Sequence, residues 1–333
     1  MKASISTAEA EPLLGHPRAA LARHSARGKW NQLLILVAIL LFVLGLDLLF
    51  SALYGLTYEV KPVSPKIQLP GSIKHFWAQY TPYFSMSEYT KPPNDCRITQ
   101  VHILQRHGAR FPASNENEPE SVEAALASLK SVSVFLDPRL EFIKNYTYKL
   151  GEDDLVAFGA AQSFDTGQYD YTRYKHLVSK HSVPFVRASG DQRVIDSATN
   201  WTSGFGHVSR GNPTPTLNVI IDESPNSNNT LNNGMCPNAG DASRQMRIWE
   251  DTYATNIASR LNTSALGATV TAADVTNLIS LCALETVANI KPSNFCGVFD
   301  PSESDFGANI REMISKLRIL ASFLIDPRDF TKT

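Results

Sequence analysis

The stretch Arg106-His107-Gly108-Ala109-Arg110-Phe111-Pro112 constrains this chain more than any other. It sets an imidazole between two guanidiniums, directly after the largely apolar run RITQVHILQ (97–105) and just before a proline. The run predicts a buried strand, and Pro112 predicts the first turn of a helix. Two guanidiniums held that close repel each other unless an anion compensates them. Open α/β sheets bind ligands at the carboxyl ends of their strands, where a following helix adds N–H donors for an anion. The heptad therefore predicts an α/β fold with an anion pocket at the sheet edge.

A second stretch repeats the pattern. Phe185-Val-Arg187-Ala-Ser189-Gly190-Asp191-Gln-Arg193-Val reads as strand, arginine, tight turn and helix, with Ser189 or Asp191 as cap. If the strand 183–188 neighbours the first one, Arg187 brings a third guanidinium to the same edge. Three arginines around one imidazole describe a phosphate pocket with a nucleophile in it. Further helices are predicted over 120–135, 155–180 and roughly 191–203, and a strand over 216–221 (TLNVII). The stretch 240–290 reads as mostly helical, broken near 262–267, and Gly151 to Asp154 reads as a turn. Strands alternating with helices, plus a helix-rich insertion, predict an α/β sheet with flanking helices and a separate helical lobe.

The beginning of the chain is of another kind. Leu33 to Leu46 is entirely apolar or glycine, and after Asp47 the run resumes to Leu56. About 20 such residues cross a bilayer as a helix, with Asp47 costing about 3 kcal/mol at the midplane unless it reaches an interface. Residues 33–56 are thus expected to be a transmembrane signal anchor rather than a cleaved signal peptide, because a long leader precedes them. Lys2, Arg18, Arg23, Arg27 and Lys29 outweigh Glu9 and Glu11, so the tail 1–32 is expected in the cytosol and the rest in a lumen or outside the cell. Pro62, Pro65 and Pro70 predict an extended stalk over 57–72. Asn145, Asn200, Asn228 and Asn262 each head a glycosylation sequon beyond the anchor, and all four cysteines lie there too, as suits an oxidising compartment. Glu9 with Leu13-Leu14 has the form of an acidic dileucine sorting signal, so the vacuole or the cell surface is the expected destination. With a net charge of -1, no global basic surface selects nucleic acid as a partner.

These motifs, together with His75 to Phe84 (HFWAQYTPYF), Leu150 to Leu155 (LGEDDL), Asn228 to Leu231 followed by Cys236, and Leu281 to Thr286 (LCALET) followed by Asn294 to Gly297 (NFCG), resemble fungal phytases. Those are histidine acid phosphatases of branch two of the histidine phosphatase superfamily, and the resemblance runs over roughly 73–300. It implies a phosphoglycerate-mutase-like sheet. It also implies that His107 is the nucleophile, forming a phosphohistidine, with Arg106, Arg110 and Arg187 binding the substrate phosphate. The implied substrate is a phosphomonoester such as phytate, with no cofactor and no metal. Chemistry of this kind depends on positioning and charge neutralisation. Three nearby cations also favour the neutral imidazole that attacks.

The chain departs from the family at its end. The resemblance implies a late His-Asp pair whose aspartate protonates the leaving alkoxide. This sequence has no His-Asp dipeptide, its last histidine is His207, and 301–333 is a divergent, amphipathic tail. The domain at 73–300 is therefore expected to be incomplete, with late strands missing and the proton donor absent. Such a chain is expected to fold poorly or to be inactive, leaving a membrane-anchored phosphate-binding or interaction protein as the alternative function. The resemblance pairs Cys282 with Cys296. Cys96 and Cys236 lack the family's downstream partners, and a bond between them stays open, since four cysteines allow three connectivities.

Overall fold

A computed structural model describes residues 31–46 and, apart from 68–74, 76, 85–87, 114–118, 225, 228, 232–242, 301 and 302, residues 62–303. The chain divides into two units, Met1–Glu59 and Val60–Thr333. In the first, residues 31–46 form a helix (α1) with every described side chain exposed. Among the described residues no helix is long and apolar enough to cross a membrane. The second part of the expected anchor, 47–56, and the basic tail to residue 30 lie outside the described residues, as do Asn228, Cys236 and the tail from 304 on.

In the second unit, apolar residues at helical spacing build a lobe from α2 (Pro119–Lys130), α5 (Ser243–Ser264) and α6 (Ala272–Asn289). Val122, Leu126 and Leu129 of α2 meet Ala254, Ile257 and Leu261 of α5 and Val275, Leu278 and Leu281 of α6 in one fully or almost fully buried cluster. Thr271 caps α6 with a reciprocal box. Its hydroxyl accepts from the Asp274 N–H, while the Asp274 carboxylate accepts from the Thr271 N–H. The break between α5 and α6 spans 265–271, later than the expected 262–267, because α5 continues through Asn262 to Ser264. The Asn262 carboxamide closes it, accepting from the Val270 N–H at 2.7 Å and donating to the Val270 carbonyl at 2.9 Å. Cys282 and Cys296 form the expected disulfide, which ties α6 to the loop after it. Cys96 is free and exposed.

The second layer is a β-α-β unit. Strand β1 (Val186–Ser189) leads through α4 (Gln192–Ser209) to β2 (Leu217–Ile221), and the two strands pair in parallel, Arg187 opposite Val219. A parallel pair needs such a crossover. Helix α3 (Ala157–Tyr174) lies along α4 with no side chain between them at two points. A Cβ on Gly167 would sit 2.0 Å from the Trp201 carbonyl oxygen, and one on Gly204 would sit 1.9 Å from that of Phe164. The two backbones therefore touch. Trp201 then anchors the pair by donating to the buried Asp170 carboxylate at 2.8 Å.

Three local expectations are corrected. Residues 97–105 are extended but belong to no strand, and most are exposed, Leu104 at 87%. Among the described residues the sheet has two strands, and neither pairs with this run. An apolar run becomes a strand only where a neighbour supplies ladder hydrogen bonds. Pro112 starts no helix; it and Ala113 are irregular, and α2 begins at Pro119. Finally, 62–67 does not stand free as a stalk. The N–H groups of Val63 and Ser64 donate to the Asp165 carboxylate of α3 at 2.6 and 2.8 Å, and the Ser64 hydroxyl joins them at 2.5 Å.

Candidate active site

The heptad is held from both sides by its backbone. The Phe111 N–H donates to the Asp154 carbonyl at 2.9 Å, and the Asp153 N–H to that of Pro112 at 2.8 Å. The Val156 N–H donates to Ala109 at 3.0 Å, and Arg110 bridges Leu155 between these bonds. The LGEDDL turn is thus the rail along which ARFP runs. Helix α3 starts immediately afterwards, and its Gly159 presses on the heptad. A Cβ on Gly108 would lie 2.2 Å from the Gly159 oxygen, and one on Gly159 would lie 2.0 Å from the Ala109 oxygen.

The peptide N–H groups after the histidine are therefore not anion donors. That of Gly108 donates to the Ser197 hydroxyl of α4 at 3.0 Å, and that of Ala109 to Gln162 Oε1 of α3 at 3.1 Å. Sequence reasoning expected a helix N-terminus here; the structure assigns these donors to side-chain acceptors. An anion at this site must rely on guanidiniums.

His107 is half-buried, and its Nδ1 lies 2.7 Å from the Gly108 carbonyl oxygen. A carbonyl only accepts, so the neutral ring carries its proton on Nδ1 and its lone pair on Nε2. Burial is the main reason its pKa is pushed down to about 4. The guanidiniums of Arg106, Arg110 and Arg193 lower it further, against the opposing pull of the Gly108 carbonyl. The ring stays neutral well into the acid range.

Arg106 donates to the Gln79 carbonyl at 2.7 Å, and the buried Arg110 to the Phe111 carbonyl at 2.8 Å. Both line, with His107, an open cavity of about 870 Å³ whose walls come from 79–83, 103–110, the α3 face and Leu284 and Val287 of α6. Arg187 is the predicted site residue that the structure does not bring to this cavity. Ala188 and Ser189 take the buried positions of β1, and Arg187 is exposed. The third charge felt by the imidazole comes from Arg193, in the first turn of α4, which is braced by Asp191 at 2.5 Å and Asp153 at 3.4 Å. Gln162, Ser197 and Arg193 escaped the sequence reading. Only Arg193 left a signal there, as a cation two residues past the Ser-Gly-Asp bend. Of the sequons, Asn145 is exposed, Asn200 is partly buried and donates to the Asp196 carbonyl, and Asn262 is occupied by Val270. Among the described residues no cluster has the makings of a metal site.

The depressed imidazole pKa has a measurable consequence. The rate of any reaction that needs this imidazole neutral should be flat, as far as this group is concerned, from about pH 7 to about pH 5 and fall towards tenfold per unit below about pH 4. Folded protein binds fewer protons here than unfolded chain, so acidification through about 6.5 to about 4 also removes stability. Burst amplitudes and rates with p-nitrophenyl phosphate across that range test this; an inflection near the ordinary histidine value would contradict it.

A neutral imidazole beside guanidiniums, on a loop packed against a glycine-seated helix, fits a histidine phosphatase. The chain belongs to that group: residues 97–312 match the histidine phosphatase superfamily (branch 2). Among its relatives are the Phytase A of Neurospora crassa, 36% identical over 72% of this chain and 51% of its own length, and that of Aspergillus fumigatus, 34% identical over 71% and 54%. The chain thus spans about half the length of these curated relatives. The crystal structure of the phytase from D. castellii superposes with a TM-score of 0.58 at 23% identity, covering 73% of this chain and 57% of that one, and so shows a shared fold.

Proposed function

We propose that this chain carries the phosphoryl-accepting half of a phytase-type phosphomonoester hydrolase. Nε2 of His107 attacks phosphorus, the bond to the ester oxygen breaks, and the phosphoryl group rests on the imidazole until water removes it. Arg106 and Arg110 neutralise the non-bridging oxygens, with Arg193 reinforcing the field at the ring. The observation that carries this is the Gly108 carbonyl held on Nδ1, which leaves the opposite nitrogen unprotonated in a cavity walled by guanidiniums. Myo-inositol hexakisphosphate is the proposed natural substrate class, in keeping with the relatives named Phytase A.

A bare alkoxide is a poor leaving group, whereas p-nitrophenolate needs no proton. The carboxyl groups lining the cavity among the described residues are Asp165, held by Val63 and Ser64, and Asp170, held by Trp201. Their engagement favours a second reading, a binding protein that captures phosphate esters without turning them over. The test is to quench the protein during incubation with p-nitrophenyl phosphate and map any acid-labile, base-stable phosphate. Label on the peptide containing His107 is expected. Unlabelled protein that still binds phytate would establish the second reading.

We further propose that the catalytic unit is tethered by the apolar segment 33–56, with its site in a lumen or outside the cell. The unbroken exposure of the apolar α1 residues supports this.

A further inference from the structure

Arg173 lies in the last turn of α3 and lines the same cavity as His107. Its guanidinium lies over two tyrosine rings, 4.4 Å from the ring centroid of Tyr89 and 4.3 Å from that of Tyr169. Tyr169 is four residues back on the same helix, but Tyr89 comes from a separate segment, so the second ring is supplied by the tertiary fold. Stacking uses the faces of a guanidinium and leaves its N–H donors free at the edge. Among the described residues no carboxylate pairs with Arg173.

Among the described residues neither acid of the cavity forms an ion pair with it. The Asp165 carboxylate accepts from Val63, Ser64 and Gln168. Asp170 accepts from Trp201, and burial raises its pKa against that bond, which weakens its hold on a charge. A stiffened, unpaired cation facing a cavity that already holds Arg106 and Arg110 calls for a second anion.

We infer that Arg173, clamped by Tyr89 and Tyr169, is a second anion subsite of the His107 cavity that takes a distal phosphate of a multiply phosphorylated small molecule. This deepens the proposed function and rests on it for the first phosphate. The distance is suitable. A long helical side chain leans back towards the helix N-terminus, and stacking on Tyr169 brings the guanidinium to that residue's level. Helix rise then puts it about 10 Å along the axis from Gln162, whose carboxamide touches the nucleophile loop. One compact molecule bearing several phosphates spans such a gap, and a single phosphate does not.

The experiment uses the full chain carrying His107→Ala, so that binding is read without turnover. Calorimetry with myo-inositol hexakisphosphate and with inorganic phosphate is compared before and after adding Arg173→Gln. The expected result is about a tenfold weaker Kd for hexakisphosphate and an unchanged Kd for inorganic phosphate. Arg173→Lys, which keeps charge and loses the stack, should fall between. Should Arg173→Gln not fold, Tyr89→Leu removes one exposed ring from outside any helix and is read in the same way. Equal losses for both ligands, or no loss for hexakisphosphate, would overturn the subsite alone. A parent that binds phosphate but not hexakisphosphate would overturn the substrate reading with it.

Discussion

Replacing His107 with alanine should lower phosphate release from p-nitrophenyl phosphate by at least about a thousandfold and abolish the labelled intermediate. The size follows from the proposed role: without the ring the phosphoryl acceptor is gone, and the guanidiniums alone only bind the phosphate. Binding should survive. The loss is therefore expected in kcat, with KM changing little, because Arg106 and Arg110 keep their seats on Gln79 and Phe111. A His107→Ala protein that releases phosphate at a tenth of the parent rate would mean that the imidazole is not the acceptor.

The largest effect on stability is expected at Gly204, far from any chemistry. Valine there gains a little helix propensity, roughly half a kcal/mol over glycine. Its Cβ would meet the Phe164 carbonyl oxygen at 1.9 Å, and backbone on a neighbouring helix cannot step aside as a side chain does. Overpacking wins, and a net loss of about 3 kcal/mol is expected. Urea unfolding followed by circular dichroism measures it. Gly297→Ala is the control, because a Cβ there meets nothing within 4 Å, and it should stay within about half a kcal/mol of the parent. If both variants unfold at the parent's midpoint, the close crossing of α3 and α4 is wrong.

Those glycines also show what the sequence made legible and what it did not. Helices α3 to α6 could be read from apolar spacing, but the caps expected for α3 and α4 make no side-chain hydrogen bond, and the break expected at 262–267 lies at 265–271. The heptad stood out because a histidine between two arginines has few structural uses, and the structure brings all three to one cavity. The extended run 97–105 misled because its composition reports hydrophobicity, whereas a strand also needs a partner, and pairing is a property of distant residues. Arg187 misled for a related reason. Successive residues of a strand face opposite ways, and only the fold decides that both faces are covered at Ala188 and Ser189 while Arg187 stays exposed. The glycines at 159, 167 and 204 each cost a helix about 1 kcal/mol relative to alanine. They escaped the sequence reading, and only the fold shows which backbone each one meets.

The Asp165 carboxylate has a mechanical consequence. It grips the chain at Val63 and Ser64 from the helix that, one turn earlier, holds the nucleophile loop through Gln162. Tension arriving along the polypeptide from upstream would load this grip in shear before it reached the hydrophobic lobe. It would enter through the rod that seats the reactive ring, so pulling on the leader is a direct handle on the chemistry.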